Sequence, residues 1–169
     1  MTDYKENQYD QISYDLGNIL GKFGLTLSIA ESCSGGLISH RITQIPGSSN
    51  YFKGGVIAYS NEIKVKILGV HDTVIEKYGA VSAQVANQMA KGALEKFETD
   101  ISCSVTGIAG PEGGTENKPV GLVYIAVESK SNAVCERFLF SGSRQEIKYQ
   151  TSTEALNLIY KFVTDNYVK

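Results

Sequence analysis

Apolar residues recur along this chain in two periods. Ile12, Leu16, Ile19, Leu20 and Phe23 repeat at helical spacing, so residues 7–23 predict an amphipathic helix closed by Gly24. Residues 25–30 form an apolar run of strand length, and 34–44 predict a helix that stops before Pro46. A loop over 47–54 precedes a second strand at 55–59. Short helices follow at 61–68 and 72–78, the latter with Asp72 as N-cap and Gly79 as C-cap. Ser82 caps a longer helix, 83–98, with Val85, Met89, Ala93, Leu94 and Phe97 on one face. Residues 101–105 predict a third strand. Residues 120–128 and 133–140 predict a hairpin, because Ser-Lys-Ser-Asn between them is turn chemistry. Ser143 and Glu146 have the spacing of a capping box and open a last helix, 144–166.

This order predicts an α/β sandwich with a mixed sheet, since the hairpin forces at least one antiparallel strand. No internal repeat, low-complexity tract or linker interrupts it, so residues 1–169 read as one domain with 1–6 loose. Apolar residues make up 42% of the 169 and charged residues 20%, enough for a real core and too apolar for disorder. A net charge of −2 lacks the basic footprint of a nucleic-acid binder. The apolar runs fall far short of a membrane span. Residues 1–10 are polar and acidic, unlike a signal peptide, so the expected address is the cytoplasm. Cys33, Cys103 and Cys135 have no Cys-x-x-Cys spacing and read as small buried residues. No His/Cys/Asp/Glu cluster has ligand spacing, so no metal is expected.

Candidate chemistry gathers at strand ends. Residues 106–121 hold five glycines and two prolines between two apolar runs, a longer link than two strands need. Thr106–Gly110 can wrap a phosphate or ribose through backbone donors, although the pattern is neither the dinucleotide fingerprint nor the Walker loop. Gly35 and Gly36 follow Ala30-Glu31-Ser32-Cys33-Ser34 at the end of another run, which suggests one site built from two places in the sequence. Ser32 stands where a strand ends and a helix begins, as a nucleophile or simply as a helix cap. His40 falls within a helix and His71 beside a loop, so a Ser-His-Asp triad has little support. The other available base is a lysine whose pKa burial lowers. Lys64 is the candidate, about one helical turn into the element after Tyr59, which can orient it or pass a proton; the alternatives are Lys64 on a solvated helix face and Tyr59 packed with its hydroxyl outward. Cys33 is a rival nucleophile without a histidine partner. Glu31 can hydrogen-bond a substrate or stand exposed. Arg144, at the start of the last helix, suits a phosphate clamp or a surface ion pair.

Four segments together resemble the CinA C-terminal domain and its stand-alone relatives, the nicotinamide-nucleotide amidases. They are Ala-Glu-Ser-Cys-Ser-Gly-Gly-Leu-Ile at 30–38, Phe-Lys-Gly-Gly-Val-Ile-Ala-Tyr-Ser-Asn-Glu-Ile-Lys at 52–64, Thr-Gly-Ile-Ala-Gly-Pro-Glu-Gly-Gly-Thr at 106–115 running on through 118–126, and Phe-Ser-Gly-Ser-Arg at 140–144. The resemblance implies a three-layer α/β/α sandwich with a mixed, mostly parallel five-stranded sheet. It implies deamidation of nicotinamide mononucleotide to nicotinate mononucleotide and ammonia, with no cofactor. Ser32 would be the nucleophile, Lys64 the general base and Tyr59 a hydrogen-bonding assistant. Glu31, Ser34, Gly35, Gly36, Thr106, Gly107 and Arg144 would bind substrate or shape its pocket. The partners implied are a small nucleotide and further copies of the chain, as a homodimer or higher homo-oligomer. Ser34 stands where the family usually has threonine, and Lys148 where a basic residue is common. The alternative is a catalytically silent nucleotide-binding or interaction module.

Overall fold

A computed structural model describes residues 10–168 of the chain. Helix α1 (Gln11–Phe23) leads into strand β1 (Leu27–Glu31), then α2 (Leu37–Thr43) and β2 (Phe52–Ile57). Helices α3 (Asn61–Leu68), α4 (Asp72–Tyr78) and α5 (Ala83–Phe97) follow, then β3 (Ile101–Gly107), β4 (Leu122–Ser129), β5 (Ala133–Leu139) and α6 (Arg144–Tyr167). The sheet order is β2-β1-β3-β4-β5. Strands β2, β1 and β3 are parallel neighbours, and β4 runs antiparallel to both β3 and β5. The sheet is therefore mixed, with β4 reversed against the common direction of its companions.

Alternation along the strands sorts the layers. Leu27 and Ile29 of β1 and Ile101, Cys103 and Val105 of β3 share a core with Leu16, Leu20, Ile38, Ile42, Ile159 and Val163, so α1, α2 and α6 cover one face. The opposite face is built differently. Ser28, Ser102 and Ser104 donate through Oγ to the carbonyls of Ala93, Ala90 and Ala86 on α5 at 3.3, 2.7 and 2.6 Å. Small hydroxyl residues meeting small helix residues bring α5 close to the sheet while each of these three hydroxyls keeps a partner. Helices α3 and α5 join over a second core that includes Ala58, Leu68, Val85 and Met89. Among the described residues no helix is long and apolar enough to cross a membrane.

Several boundaries differ from the sequence reading. Residues 7–9 of the first predicted helix lie outside the described residues, and α1 begins after Asp10. The second helix starts at Leu37 rather than 34, because Gly35 and Gly36 turn the chain with φ of 62° and 97°. Strand β2 starts at Phe52 and ends at Ile57 rather than spanning 55–59, since pairing with β1 runs from Leu27↔Phe52 to Glu31↔Ile57. The N-cap of α4 is His71, with Asp72 the first helical residue. Strand β3 runs on through Thr106 and Gly107, which pair with Tyr124 and Val123.

Candidate active site

The connection after β1 covers one face of the sheet through α2, and that after β2 covers the other through α3 to α5. The carboxyl ends of β1 and β3 thus flank a switch in chain direction, where open α/β sheets leave a crevice. A cleft of about 270 Å³ lies there, near the lower end of the ~300–1,000 Å³ usual for small-molecule sites. Ser32, Lys64, Tyr59, Thr106 and Gly107 line it together with Arg144.

Glu31 and Ser32 are consecutive, so their side chains leave the strand end toward opposite faces. The Glu31 side chain meets the start of α2. The Ser32 side chain meets α3, where Lys64 Nζ lies 3.0 Å from Ser32 Oγ. The main chain of Ser32 is held on both sides, its N–H donating to Val105 O at 3.1 Å and its carbonyl accepting from Gly35 N at 3.1 Å. Helix α3 is placed by Ser60, whose Oγ accepts from Ile63 N, and closed by Gly69 in the left-handed region.

Lys64 is 2% exposed. Its Nζ also donates to the carbonyls of Ala58 at 2.8 Å and Tyr59 at 3.3 Å. Burial holds its pKa below the usual lysine value, and only a weaker interaction with the Cys33 thiol opposes that. Among the described residues no salt bridge reaches this amine. A neutral lysine amine has two N–H donors and one lone pair. In its charged form Nζ donates to Ser32 Oγ as well as to both carbonyls; once uncharged, it can keep its two N–H groups on the carbonyls and turn its lone pair to the Ser32 hydroxyl. The neighbouring thiol is disarmed: burial, reinforced by Glu31, pushes Cys33 up to about 12.

The remaining candidates separate into two groups. At the cleft, Arg144 donates from Nη1 to Gly110 O at 2.6 Å and from Nη2 to the Tyr59 hydroxyl at 2.9 Å. Arg144 thereby ties the rim tyrosine to the glycine-rich loop, and further N–H groups of its five remain to meet a ligand. Tyr59 reaches Lys64 through its backbone carbonyl, while its ring is exposed. Thr106 Oγ1 donates to Ala80 O at 2.8 Å and so continues the row of hydroxyls beyond the N-terminal end of α5. Gly107 leaves no space for a side chain, since a Cβ there would lie 2.6 Å from Val123 Cγ2 and 2.7 Å from Leu122 O.

Glu31, Ser34, Gly35 and Gly36 do not line the cleft. Glu31 is 1% exposed and turned away from it. Ser34 Oγ and Gly36 N both donate to the Glu31 carboxylate, at 2.7 and 2.9 Å.

Sequence reasoning overlooked several participants. Asn61 and Glu112 line the cleft. The Ala58 carbonyl holds Lys64 by a backbone atom, which no side-chain pattern reveals. Lys118 latches the long loop by donating to Tyr78 O at 2.5 Å and Val81 O at 2.8 Å. A lysine inside that loop was the available signal.

A family model described as the CinA C-terminal domain matches residues 9–163. A CinA-like protein of Dictyoglomus thermophilum is 49% identical over 154 residues, covering 91% of this chain and 37% of that protein. The chain spans little more than a third of the length of the curated relatives it matches. The crystal structure of competence/damage inducible protein CihA from Agrobacterium tumefaciens is similar with a TM-score of 0.86 and 37% identity, covering 95% of this chain and 98% of that one. A CinA superfamily protein from Klebsiella pneumoniae is similar with a TM-score of 0.89 and 26% identity, covering 92% of this chain and 97% of that one.

Proposed function

This chain belongs to the CinA C-terminal domain family, and we propose that its cleft hydrolyses the carboxamide of nicotinamide mononucleotide to nicotinate mononucleotide and ammonia. The reading is carried by one observation, the buried amine of Lys64 at 3.0 Å from Ser32 Oγ with two carbonyls facing its N–H groups. Ser32 Oγ attacks the amide carbon while its proton passes to Lys64 Nζ. Backbone N–H groups of the loops after β1 and β3 stabilise the oxyanion. The C–N bond then breaks, and ammonia leaves with the proton held by Lys64. Water attacks the resulting ester and gives its proton to Lys64. That proton returns to Ser32 as the acid departs. Arg144, with N–H groups to spare, meets the phosphate. Thr106 and Gly107 shape the wall beside it.

Ammonia release from nicotinamide mononucleotide, nicotinamide and glutamine tests this directly. Ser32→Ala should abolish release from the nucleotide, by at least ~10³-fold, while far-UV circular dichroism stays unchanged. Substantial residual turnover would reject Ser32 as nucleophile. Release from glutamine alone would move the substrate to another carboxamide. Release from none would favour the silent module.

A further inference from the structure

We propose that Glu31 is a positioning residue for Ser32: its buried carboxylate gathers the turn after β1 and the start of α2 into one rigid unit, and that unit fixes the hydroxyl against Lys64. Oε2 accepts from Ser34 Oγ at 2.7 Å, Gly36 N at 2.9 Å and Ile38 N at 3.1 Å. Oε1 accepts from Ser39 N at 2.9 Å and Ser39 Oγ at 2.7 Å. These donors belong to residues 34–39, immediately beyond the nucleophile. Ordinary capping of a helix start uses one side-chain oxygen and one or two N–H groups. Here both oxygens are used, and the anion sits where the backbone dipoles of α2 favour negative charge.

The geometry links this clamp to the reacting atoms on two sides. The carbonyl of Ser32 accepts from Gly35 N, and the neighbouring Gly36 is held by Glu31. The carbonyl of Glu31 itself accepts from Ala58 N at 2.7 Å, and the carbonyl of Ala58 accepts from Lys64 Nζ at 2.8 Å. One residue therefore restrains the serine through its side chain and the lysine through its main chain. It touches neither the cleft nor its contents, so it acts through them. Glutamine cannot replace it. An amide nitrogen on the Oε1 side would face the Ser39 N–H and leave that donor without an acceptor, and the negative charge would be gone.

The proposal rests on Ser32 being the nucleophile, and its test separates the two ideas. Diisopropyl fluorophosphate reports serine reactivity without assuming a natural substrate. An Oγ–P bond forms, the P–F bond breaks, fluoride leaves, and the serine proton passes to Lys64 and on to solvent. In the wild-type protein, mass spectrometry should find the adduct on Ser32. Glu31→Gln, at a temperature where it remains folded by circular dichroism, should label roughly 10- to 100-fold more slowly. Its kcat for ammonia release should fall by a similar factor, with KM within about twofold of wild type. If Glu31→Gln does not fold, Ser39→Ala decides. It removes one donor from the same carboxylate at a residue that does not line the cleft, and labelling should slow about two- to fivefold. Wild-type labelling in a folded Glu31→Gln, or in Ser39→Ala if only that variant folds, overturns the positioning role and leaves Ser32 as nucleophile. No adduct on Ser32 in the wild-type protein overturns both.

Discussion

Replacing Gly92 with alanine should destabilise the protein and slow its reaction, against the helix propensity that favours the change. Gly92 lies inside α5, where alanine is favoured over glycine by about 1 kcal/mol in an exposed helix. The space argues the other way. A Cβ at Gly92 would lie 1.8 Å from the carbonyl oxygen of Leu68, the last residue of α3, and 2.7 Å from its carbon. Reaching even 3.0 Å needs a separation of 1.2 Å between two backbones, with no side chain free to rotate away. Overpacking of this kind costs about 1–3 kcal/mol. The contact is with main chain, so the upper half of that range applies, and the net loss is about 1–2 kcal/mol. For a chain of this size that lowers Tm by roughly 2–8 °C. The same displacement reaches chemistry, because α3 carries Lys64. If α3 moves as a body, the 3.0 Å approach of Nζ to Ser32 Oγ opens by about 1 Å, which costs on the order of 10²-fold in kcat. Differential scanning calorimetry and ammonia release measure the two effects. A raised Tm would mean that propensity wins and that the α5–α3 contact is looser than described. A lowered Tm with unchanged kcat would mean that α5, and not α3, gives way.

Two further outcomes follow from the site. The base must be unprotonated to act, and burial lowers the pKa of Lys64. The rate should therefore climb as pH rises through a value below the usual ~10.4 of lysine. The sign for stability is the same: above the folded pKa the unfolded chain binds the extra proton, so folding gains as pH rises toward ~10.4. Lys64→Arg stays charged throughout and should be inactive at every pH, and a pH–rate profile still rising toward the unperturbed value in the wild-type protein would refute a lowered pKa. Lys118→Ala frees the long loop from Tyr78 O and Val81 O, so amide exchange across 111–118 should accelerate about tenfold or more while β1 and β3 stay protected. Unchanged exchange would show that Arg144, through Gly110 O, holds the loop alone.

What could be read from the sequence divides along a physical line. Elements with local signals were legible. Gly24 closes α1, Ser82 opens α5, and Ser143 with Glu146 forms the capping box of α6, because each satisfies its helix end with atoms a few residues away. Strand limits depended on partners far along the chain. Phe52 joins β2 because Leu27 is there to pair with it, despite the glycines that follow. The seam between α5 and the sheet was hidden for a related reason. Ser28, Ser102, Ser104 and Thr106 are the polar half of an apolar–polar alternation that reads as a solvent-facing side, and only the facing carbonyls on α5 and at Ala80 explain why these hydroxyls are buried.

Lys64 is the instructive case. Lys64 and Leu68 are one helical turn apart and are the buried residues of α3, so the lysine occupies a place in the apolar stripe. A charge in that place is costly unless it is paired, and no carboxylate is near in sequence on that face. The inexpensive solution is to bury the amine uncharged with acceptors for its two N–H groups. Ala58 and Tyr59 meet that need with backbone oxygens as β2 ends, and their side chains carry no trace of it. Burial at this place therefore favours the uncharged form of the amine. The fold adds which hydroxyl faces its lone pair, because β1 delivers Ser32 to that face and Glu31 to the other.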